Sequence, residues 1–527
     1  MNMPKSRDIH AKIPSPKAIL LNFSFVSVKV LNRYVKGFVY MSVFSAMLKN
    51  FVHEKDVKVG ALAHYCELER STIYKFINGK REPMSLELVE RIAHFLKLTP
   101  SETLHFQEAW KMARMGEDIY YTRKSVEHFL CDFPSKSVTP ASVFSHVEDS
   151  FTPPQSSDRN CVLLNSRQAM DSAVHQILLK EAGKVNGEIA LFLQPDFSFL
   201  FRLLSSIQPC EALKIQHIFS LNHTSQFTDH HELYQLYYLR NLFPLYMNDL
   251  DYHTYCFYGN DHFHYQSLTV FPYIILTSES AITCSADYQM GILYHDADIL
   301  QALWELFTAH RDRCLPLFKK IPISENSPSD VSQFLNTIQI NEDSMIGIQP
   351  EACLTPFLQD DLLQAVFNHD LPHADMILPA AQAMFEKNAQ KIEDGRFIIY
   401  FTEYGLIHFQ QNGTFDEIPE SFYHPLTIQQ RIEVLKKVSS CCRAGSYRIL
   451  KKPLNHLSQN LHLCLRGNDS FLTYQTNLGN TVCLVIYEPS LSQIFQDFLE
   501  HLDNDIYYTP DEAEKIIVRL IQQLEIC

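Results

Sequence analysis

Side chains able to do chemistry gather at only a few places along the 527 residues. His462 and Asp469 stand in one short segment, and a histidine with a carboxylate can serve nucleophilic or acid–base catalysis. Asp229-His230-His231-Glu232 and Asp261-His262-Phe263-His264 collect metal-capable groups. The chain has 24 histidines, however, and neither an H-E-x-x-H nor a Cys/His zinc spacing occurs, so no metal site is expected. Cys441 and Cys442 are adjacent and could in principle form a redox switch. The 13 cysteines show no CxxC pair, which suits small core residues in a reducing compartment. There is no G-x-x-x-x-G-K, G-x-G-x-x-G or G-x-S-x-G, and only 15 glycines, so no cofactor is expected. Tyr234, Tyr237, Tyr238 and the run from Tyr252 to Tyr258 read as core rather than as a ligand cage. That leaves a basic pair, Lys80 and Arg81, just after Asn78-Gly79, where a chain leaving a helix can meet a phosphate backbone.

The elements that would position that pair are legible in Leu62 to Arg81, LAHYCELERSTIYKFINGKR. Ala63 is small where two helices must approach closely, and Leu68 is the apolar anchor of the turn between them. Ile73 and Phe76 set the buried face of the second helix, and Gly79 can take the left-handed conformation that stops it. Further on, Leu86, Val89, Ile92, Ala93 and Leu96 make one helical stripe with Ser85 as its cap. Thr99, Pro100 and Glu102 form a capping box with proline at the first helical position. Four to five helices therefore fill an all-α domain.

This segment, extended through LELVERIAHFLKLTP, resembles the lambda-repressor or XRE helix-turn-helix family over about seventy residues. The resemblance implies that the second helix enters the major groove of double-stranded DNA. Arg70, Ser71 and Lys75 would then face the bases with Thr72 and Tyr74 nearby, while Lys80 and Arg81 touch phosphates. Two departures stand out. Glu67 occupies a turn position where the family usually has glycine, which is expected to reshape the turn slightly. Ile77 stands where a polar residue is common, suggesting a contact with another part of the protein. The competing reading is a helical hairpin with a merely solvated polar face, or one that binds a partner protein.

Length and composition allow about three domains at ~100–200 residues each. A chain 46% apolar and 20% charged is globular, and a net charge of −15 excludes a surface that is basic all over. From Met41 to Leu130 acidic and basic side chains roughly cancel, so a DNA contact has to be local. The first forty residues imitate a signal peptide, with Lys5, Arg7, Lys12 and Lys17 ahead of Ala18–Val28, but lack a clear cleavage site. The expectation is that translation starts at Met41 and that 1–40 is a non-native or disordered extension, a membrane tether being the alternative. No apolar run reaches the ~20 residues of a membrane span, so a cytoplasmic protein without membrane contact is expected.

The expected organisation is multidomain: helix-turn-helix domain 41–130, Pro/Ser/Thr-rich linker 131–158, then a large α/β region. Strand-like runs at Glu188–Leu193, Leu213–Leu221, Tyr252–Tyr258 and Tyr273–Leu276 mix with helical patterns such as Ala297–Arg311. That region reads as two repeats, 159–330 and 331–527. ESAITCSAD near Glu279 parallels DSFLTYQTN near Asp469, GILYH parallels CLVIY, and DADILQALWELF parallels EPSLSQIFQDFL. GEIALFLQ and GRFIIYFT are the expected first strands of the two copies.

In outline this body is similar to the phospholipase D superfamily, whose two repeats each carry H-x-K-x-x-x-x-D. His462 and Asp469 have that spacing with Cys464 at the lysine, while Pro272, Ile274 and Glu279 fill the corresponding places of the first copy. The resemblance thus implies a degenerate, non-enzymatic domain with no catalytic residues, used for sensing or dimerisation. The other reading makes His462 an ordinary strand histidine in a different fold. The function expected is a DNA-binding transcriptional regulator, with a homodimer and a small-molecule or peptide ligand as further partners. A DNA-targeted phosphodiesterase and a protein-interaction adaptor are the alternatives.

Overall fold

Short helices are marginal alone and persist only where a shared core takes up their apolar stripes. The computed structural model describes residues 41–133, 160–207, 213–221, 227–228, 231–248, 250–258, 270–324, 327, 330–331, 334–335, 344–458, 461–467 and 469–526. The expected extension 1–40, almost all of the expected linker, Asp229, His230 and the Asp261–His264 cluster lie outside these residues. The described chain divides into two compact units at Tyr120/Tyr121.

The first unit is helical: α1 (Val43–Glu54), α2 (Val59–Tyr65), α3 (Arg70–Ile77), α4 (Leu86–Phe95) and α5 (Pro100–Met115). Its core joins Phe44 and Leu48 of α1 to Leu62, Ile73, Phe76, Val89, Ile92 and Phe106. Phe44 stacks on Phe106 with ring centroids 4.6 Å apart, closing α1 onto α5. Ser85 Oγ accepts from Leu88 N–H at 3.3 Å, and the Thr99–Glu102 capping box is complete with Pro100 in the first turn. Helix α6 (Glu117–Cys131) crosses the division, and its Val126, Phe129 and Leu130 join the core of the second unit.

The second unit holds two mixed sheets. The first half runs β1 (Cys161–Leu164), α7 (Arg167–Ala182), β2 (Glu188–Phe192), α8 (Ser198–Ser206), β3 (Lys214–Leu221), α9 (Tyr234–Met247) and β4 (Asp251–Tyr258). It continues through β5 (Tyr273–Leu276), β6 (Ala281–Cys284), β7 (Gly291–Tyr294), α10 (Ala297–Arg311) and the short β8 (Leu315–Pro316). The second half runs β9 (Phe318–Ile323), β10 (Met345–Ile348), α11 (Asp360–Val366), α12 (Ala374–Glu393), β11 (Phe397–Thr402), α13 (Glu403–Asn412), α14 (Ile428–Ala444) and β12 (Tyr447–Leu450). It ends with β13 (Leu461–Arg466), β14 (Asp469–Gln475), β15 (Thr481–Ile486), α15 (Pro489–Glu500) and α16 (Pro510–Ile526). No helix among the described residues is long and apolar enough to cross a membrane.

The sheets have the orders β1-β7-β6-β5-β2-β3-β4-β8 and β12-β11-β10-β13-β14-β15-β9. Reversing the second order matches it to the first strand by strand, β8 excepted. In each, two parallel pairings adjoin a run of antiparallel ones: β2/β3 and β3/β4 in the first, β10/β11 and β11/β12 in the second. Two expectations change. Strand β9 pairs with β15, so the second sheet begins by Phe318 and not after 330. GRFIIYFT is β11, whose counterpart by position is β3; the counterpart of GEIALF in β2 is the short β10.

Alternation along the strands sorts the cores. Ile189 and Leu191 of β2 and Leu461, Leu463 and Leu465 of β13 enter one large core together with the inner faces of α7, α8, α9 and α15. Ala190 and Phe192 turn to the opposite side, against α10. Within the large core lies one buried histidine, His217 of β3, whose Nδ1 is 2.7 Å from Tyr252 Oη and whose Nε2 is 2.9 Å from the Leu193 carbonyl. That geometry fits a neutral ring donating through Nε2 to Leu193 and accepting the Tyr252 hydroxyl at Nδ1. Burial holds its pKa down to about 4. Because the folded value lies below the unfolded ~6.5, this group leaves stability intact above pH ~6.5 and lowers it as pH falls toward 4. The thermal midpoint of the full chain should therefore drop between pH 7 and pH 5, and His217→Gln should make that drop shallower. An unchanged slope in the variant would show that His217 is not the group responsible.

Candidate nucleic-acid interface

Helix α3 carries the sequence-predicted site, and both of its flanks are set by left-handed residues. Helix α2 ends at Cys66; Glu67 N–H then bonds the His64 carbonyl at 3.1 Å and Leu68 N–H bonds the Ala63 carbonyl at 2.9 Å. This is a Schellman stop, with Glu67 at φ 56° in the place that favours glycine. The turn is therefore not reshaped by its glutamate: Glu67 adopts the glycine conformation, and its carboxylate meets Arg91 at 3.0 Å. Arg91 also donates to the Tyr65 carbonyl at 3.0 Å, fastening α4 to the same corner. At the far end Gly79, φ 68°, closes α3 in the same way, with Lys80 N–H on the Lys75 carbonyl at 2.9 Å and Gly79 N–H on the Phe76 carbonyl at 3.2 Å.

Ile73, Phe76 and Ile77 form the inner face of α3. Ile77 is 7% exposed and belongs to the core of its own unit, so it is not a surface left over for a partner. The positions 73, 76 and 77 are spaced as one inward stripe, which explains an apolar residue there. Arg70, Ser71, Tyr74 and Lys75 are exposed on the outside of α3, and Thr72 is half-buried beside them. Arg70 Nη2 donates to Tyr74 Oη at 3.2 Å and its guanidinium lies 5.5 Å from the Tyr74 ring centre. Ser71 Oγ donates to Glu69 Oε2 at 3.0 Å. Lys80 and Arg81 are exposed in the segment that leaves α3. That segment is fixed from below: Trp110 Nε1 donates to the Pro83 carbonyl at 2.9 Å, and Ser42 Oγ donates to Glu82 Oε1 at 2.8 Å. Burial raises the Glu82 pKa, the Ser42 hydrogen bond opposing it. All seven predicted positions thus lie on α3 or in the turn that follows it, five of them on one short helix.

The other candidates are placed as follows. His462 lies on β13 and is 8% exposed, with its pKa pushed down to about 4 by burial. Cys464 shares its strand face, two residues on. Asp469 opens β14 and is exposed, paired in register with Arg466. Glu279 is ion-paired with Lys180 at 2.7 Å and Lys184 at 2.9 Å. Those two ammonium groups hold its pKa down to about 2. Of the first acidic-histidine cluster, His231 stacks on Tyr121 at 4.3 Å and Glu232 pairs with Arg240 at 3.1 Å. Cys441 and Cys442 are buried on α14, and burial raises their thiols to about 11 and about 12.

Residues 47–109 match the family model of the Cro/C1-type HTH DNA-binding domain. No curated protein matches the chain. Among solved structures, the phosphatidylserine synthase of Haemophilus influenzae Rd KW20 aligns at 10% identity over 77% of this chain and 99% of that one, with a TM-score of 0.22. The polyphosphate kinase from Porphyromonas gingivalis aligns at 11% identity over 69% of this chain and 55% of that one, with a TM-score of 0.19. TrmBL2, an archaeal chromatin protein described as showing a novel mode of DNA binding, aligns at 12% identity over 50% of this chain and 99% of that one, with a TM-score of 0.21. TM-scores this low carry no argument about fold or function. The N-terminal unit nonetheless carries a helix-turn-helix of the Cro/C1 type, on the family match and on its own geometry.

The left-handed Glu67 makes the turn testable. A left-handed non-glycine residue costs roughly 1–2 kcal/mol, and the exposed ion pair with Arg91 returns at most about 1. In urea unfolding followed through Trp110, with Trp304→Phe to silence the other tryptophan, Glu67→Gly should equal the parent or gain up to about 1 kcal/mol. Glu67→Val should lose more than about 1 kcal/mol, since β-branched residues tolerate this conformation poorly. Equal destabilisation by both would mean that the turn does not adopt this geometry.

Proposed function

We propose that the chain is a sequence-specific DNA-binding transcriptional regulator whose α3 enters the major groove. In this reading Arg70, Ser71 and Lys75 meet base edges, Thr72 and Tyr74 stand beside them, and Lys80 and Arg81 hold phosphates. The supporting observation is the exposed outer face of α3, backed by an inner face locked in a core that matches a DNA-binding family over 47–109. Arg70 is well suited to guanine O6 and N7, because a planar guanidinium donates bidentately and Tyr74 already limits its rotamers. The protein acts in the cytoplasm, and as a homodimer it would read two half-sites about one helical turn apart.

The body serves sensing or dimerisation without catalysis. The shared strand order of its two sheets favours reading it as two copies of one unit. Against a phosphodiesterase stand Cys464 at the lysine place, Pro272 at the other histidine place, and a His462 that is buried and held neutral. A proline can act as neither nucleophile nor acid.

The deciding measurement is binding of the full chain to DNA from its own upstream region across a salt series. Arg70→Ala with Lys75→Ala should remove sequence selectivity, each lost base contact costing ~1–3 kcal/mol. Lys80→Ala with Arg81→Ala should weaken all sequences alike and flatten the slope of log K against log salt by about 2. Weak, unselective binding by parent and variants alike would end the base-reading proposal and favour a protein partner for α3.

A further inference from the structure

Strand β13 puts Leu461, Leu463 and Leu465 into the large core, so His462, Cys464 and Arg466 face the other way, toward the helices of the second half. There they line a cavity of ≈ 140 Å³ whose walls are otherwise largely apolar, including Ile323, Leu335, Phe367, Met384 and Phe385. A cavity of about 150 Å³ with purely aliphatic and aromatic walls stays dry and takes up benzene. This one is of that size, but one wall is polar.

The polar wall is built. Arg466, 4% exposed, has its Nη2 donating to Asn388 Oδ1 at 3.1 Å and also reaching Met345 Sδ at 3.4 Å. Its position is therefore set before any ligand arrives. His462 is buried, lines the same space, and has no hydrogen-bond partner among the described residues. Thr473 sits opposite His462 on β14 and also lines the cavity. Glu417, the acidic lining residue, is already engaged: it accepts Leu354 N–H at 2.8 Å, Thr355 N–H at 3.2 Å and Gln349 Nε2 at 3.2 Å. A guanidinium held in place at the wall and an imidazole with no hydrogen-bond partner among the described residues suit an anionic acceptor on an apolar body.

We propose that this cavity binds a small apolar carboxylate, its carboxylate pairing with Arg466, its apolar part filling the chamber, and His462 answering a polar atom of the ligand. The chamber's size suits an apolar part of roughly the bulk of that of benzoate or hexanoate. Binding here is independent of whether α3 reads DNA, and it is tested without DNA.

The experiment is calorimetry and thermal shift of the full chain with benzoate and hexanoate, beside benzyl alcohol and hexanol. The carboxylates should bind saturably and raise the melting temperature, and each alcohol should bind about tenfold more weakly or worse, as expected for loss of a charge-assisted hydrogen bond. Arg466→Met should erase that preference. Ala381→Phe, which puts a ring into the chamber from α12 and leaves Arg466 and His462 unsubstituted, should abolish binding of both classes and covers the case in which Arg466→Met does not fold. Saturable carboxylate binding lost in Ala381→Phe supports the proposal. No binding of any probe, equal binding of acid and alcohol, or carboxylate binding that survives Ala381→Phe would overturn it.

Discussion

Rotation of α3 about its own axis is the constraint on which the N-terminal unit depends. An isolated helix of eight residues has almost no stability in water, so α3 exists because Ile73, Phe76 and Ile77 are inside. Three inward residues out of eight leave no second orientation that buries as much. The outward set then follows from helical spacing: Arg70, Ser71, Tyr74 and Lys75 share the opposite face whatever their individual preferences. The left-handed residues at either flank, Glu67 and Gly79, fix where that face begins and ends. A charged residue accepting the conformation at Glu67 is a local cost carried by the packing of the corner, with Arg91 partly compensating.

The same logic runs through the body with a period of two. On β13 every second residue must enter the core shared with α7, α8, α9 and α15, and leucine at 461, 463 and 465 meets that demand. The intervening residues are released from it, and they are the ones of mixed chemistry. Gly347 of β10 belongs to this arrangement: a Cβ there would lie 2.9 Å from Ile399 Cδ1 and 3.2 Å from the Leu463 carbonyl oxygen, so a side chain at this place in β10, between β11 and β13, would have to push the end of Ile399 aside. Close strand packing on this side leaves the open volume to the helices, where the cavity lies.

Much of this was legible in the sequence wherever one residue type has one physical use. Ser85, Thr99 with Glu102, and Gly79 announced helix ends, and the 86–96 stripe announced α4. Glu67 gave no sign of its left-handed backbone, because a glutamate in a turn reads as solvated. Ile77 was misread as a contact to spare because family expectation outweighed its own spacing from Ile73. In the body, β9 was missed because FKKIPI carries two lysines and a proline. Those residues fit an edge strand, which is where β9 lies. Strand β10, MIGI, is short and interrupted by a glycine, so the stronger GRFIIYFT took its place in the expected repeat. The cavity was invisible for a different reason: its walls come from residues spread between Ile323 and Thr473, and no local pattern records a space assembled from such distant segments.

Two buried histidines show how the fold treats polar groups. His217 and His462 are both withdrawn from water and both held near pKa 4 by burial. His217 has each ring nitrogen answered, by Tyr252 and by the Leu193 carbonyl, as a structural histidine should. The second half answers its buried carboxylates Glu351 and Glu417 in the same way: Glu351 accepts Asp416 N–H at 2.9 Å and meets His408 Nδ1 at 2.6 Å, and Glu417 accepts from two backbone amides and Gln349. His462 differs from these in its surroundings rather than in its chemistry, because it borders open volume. A buried donor and acceptor left unmatched costs about 1–3 kcal/mol, a cost that a neighbouring hydroxyl or carbonyl would remove. An imidazole without a partner among the described residues, bordering a chamber that also holds Arg466, is placed to meet a polar group that enters the chamber.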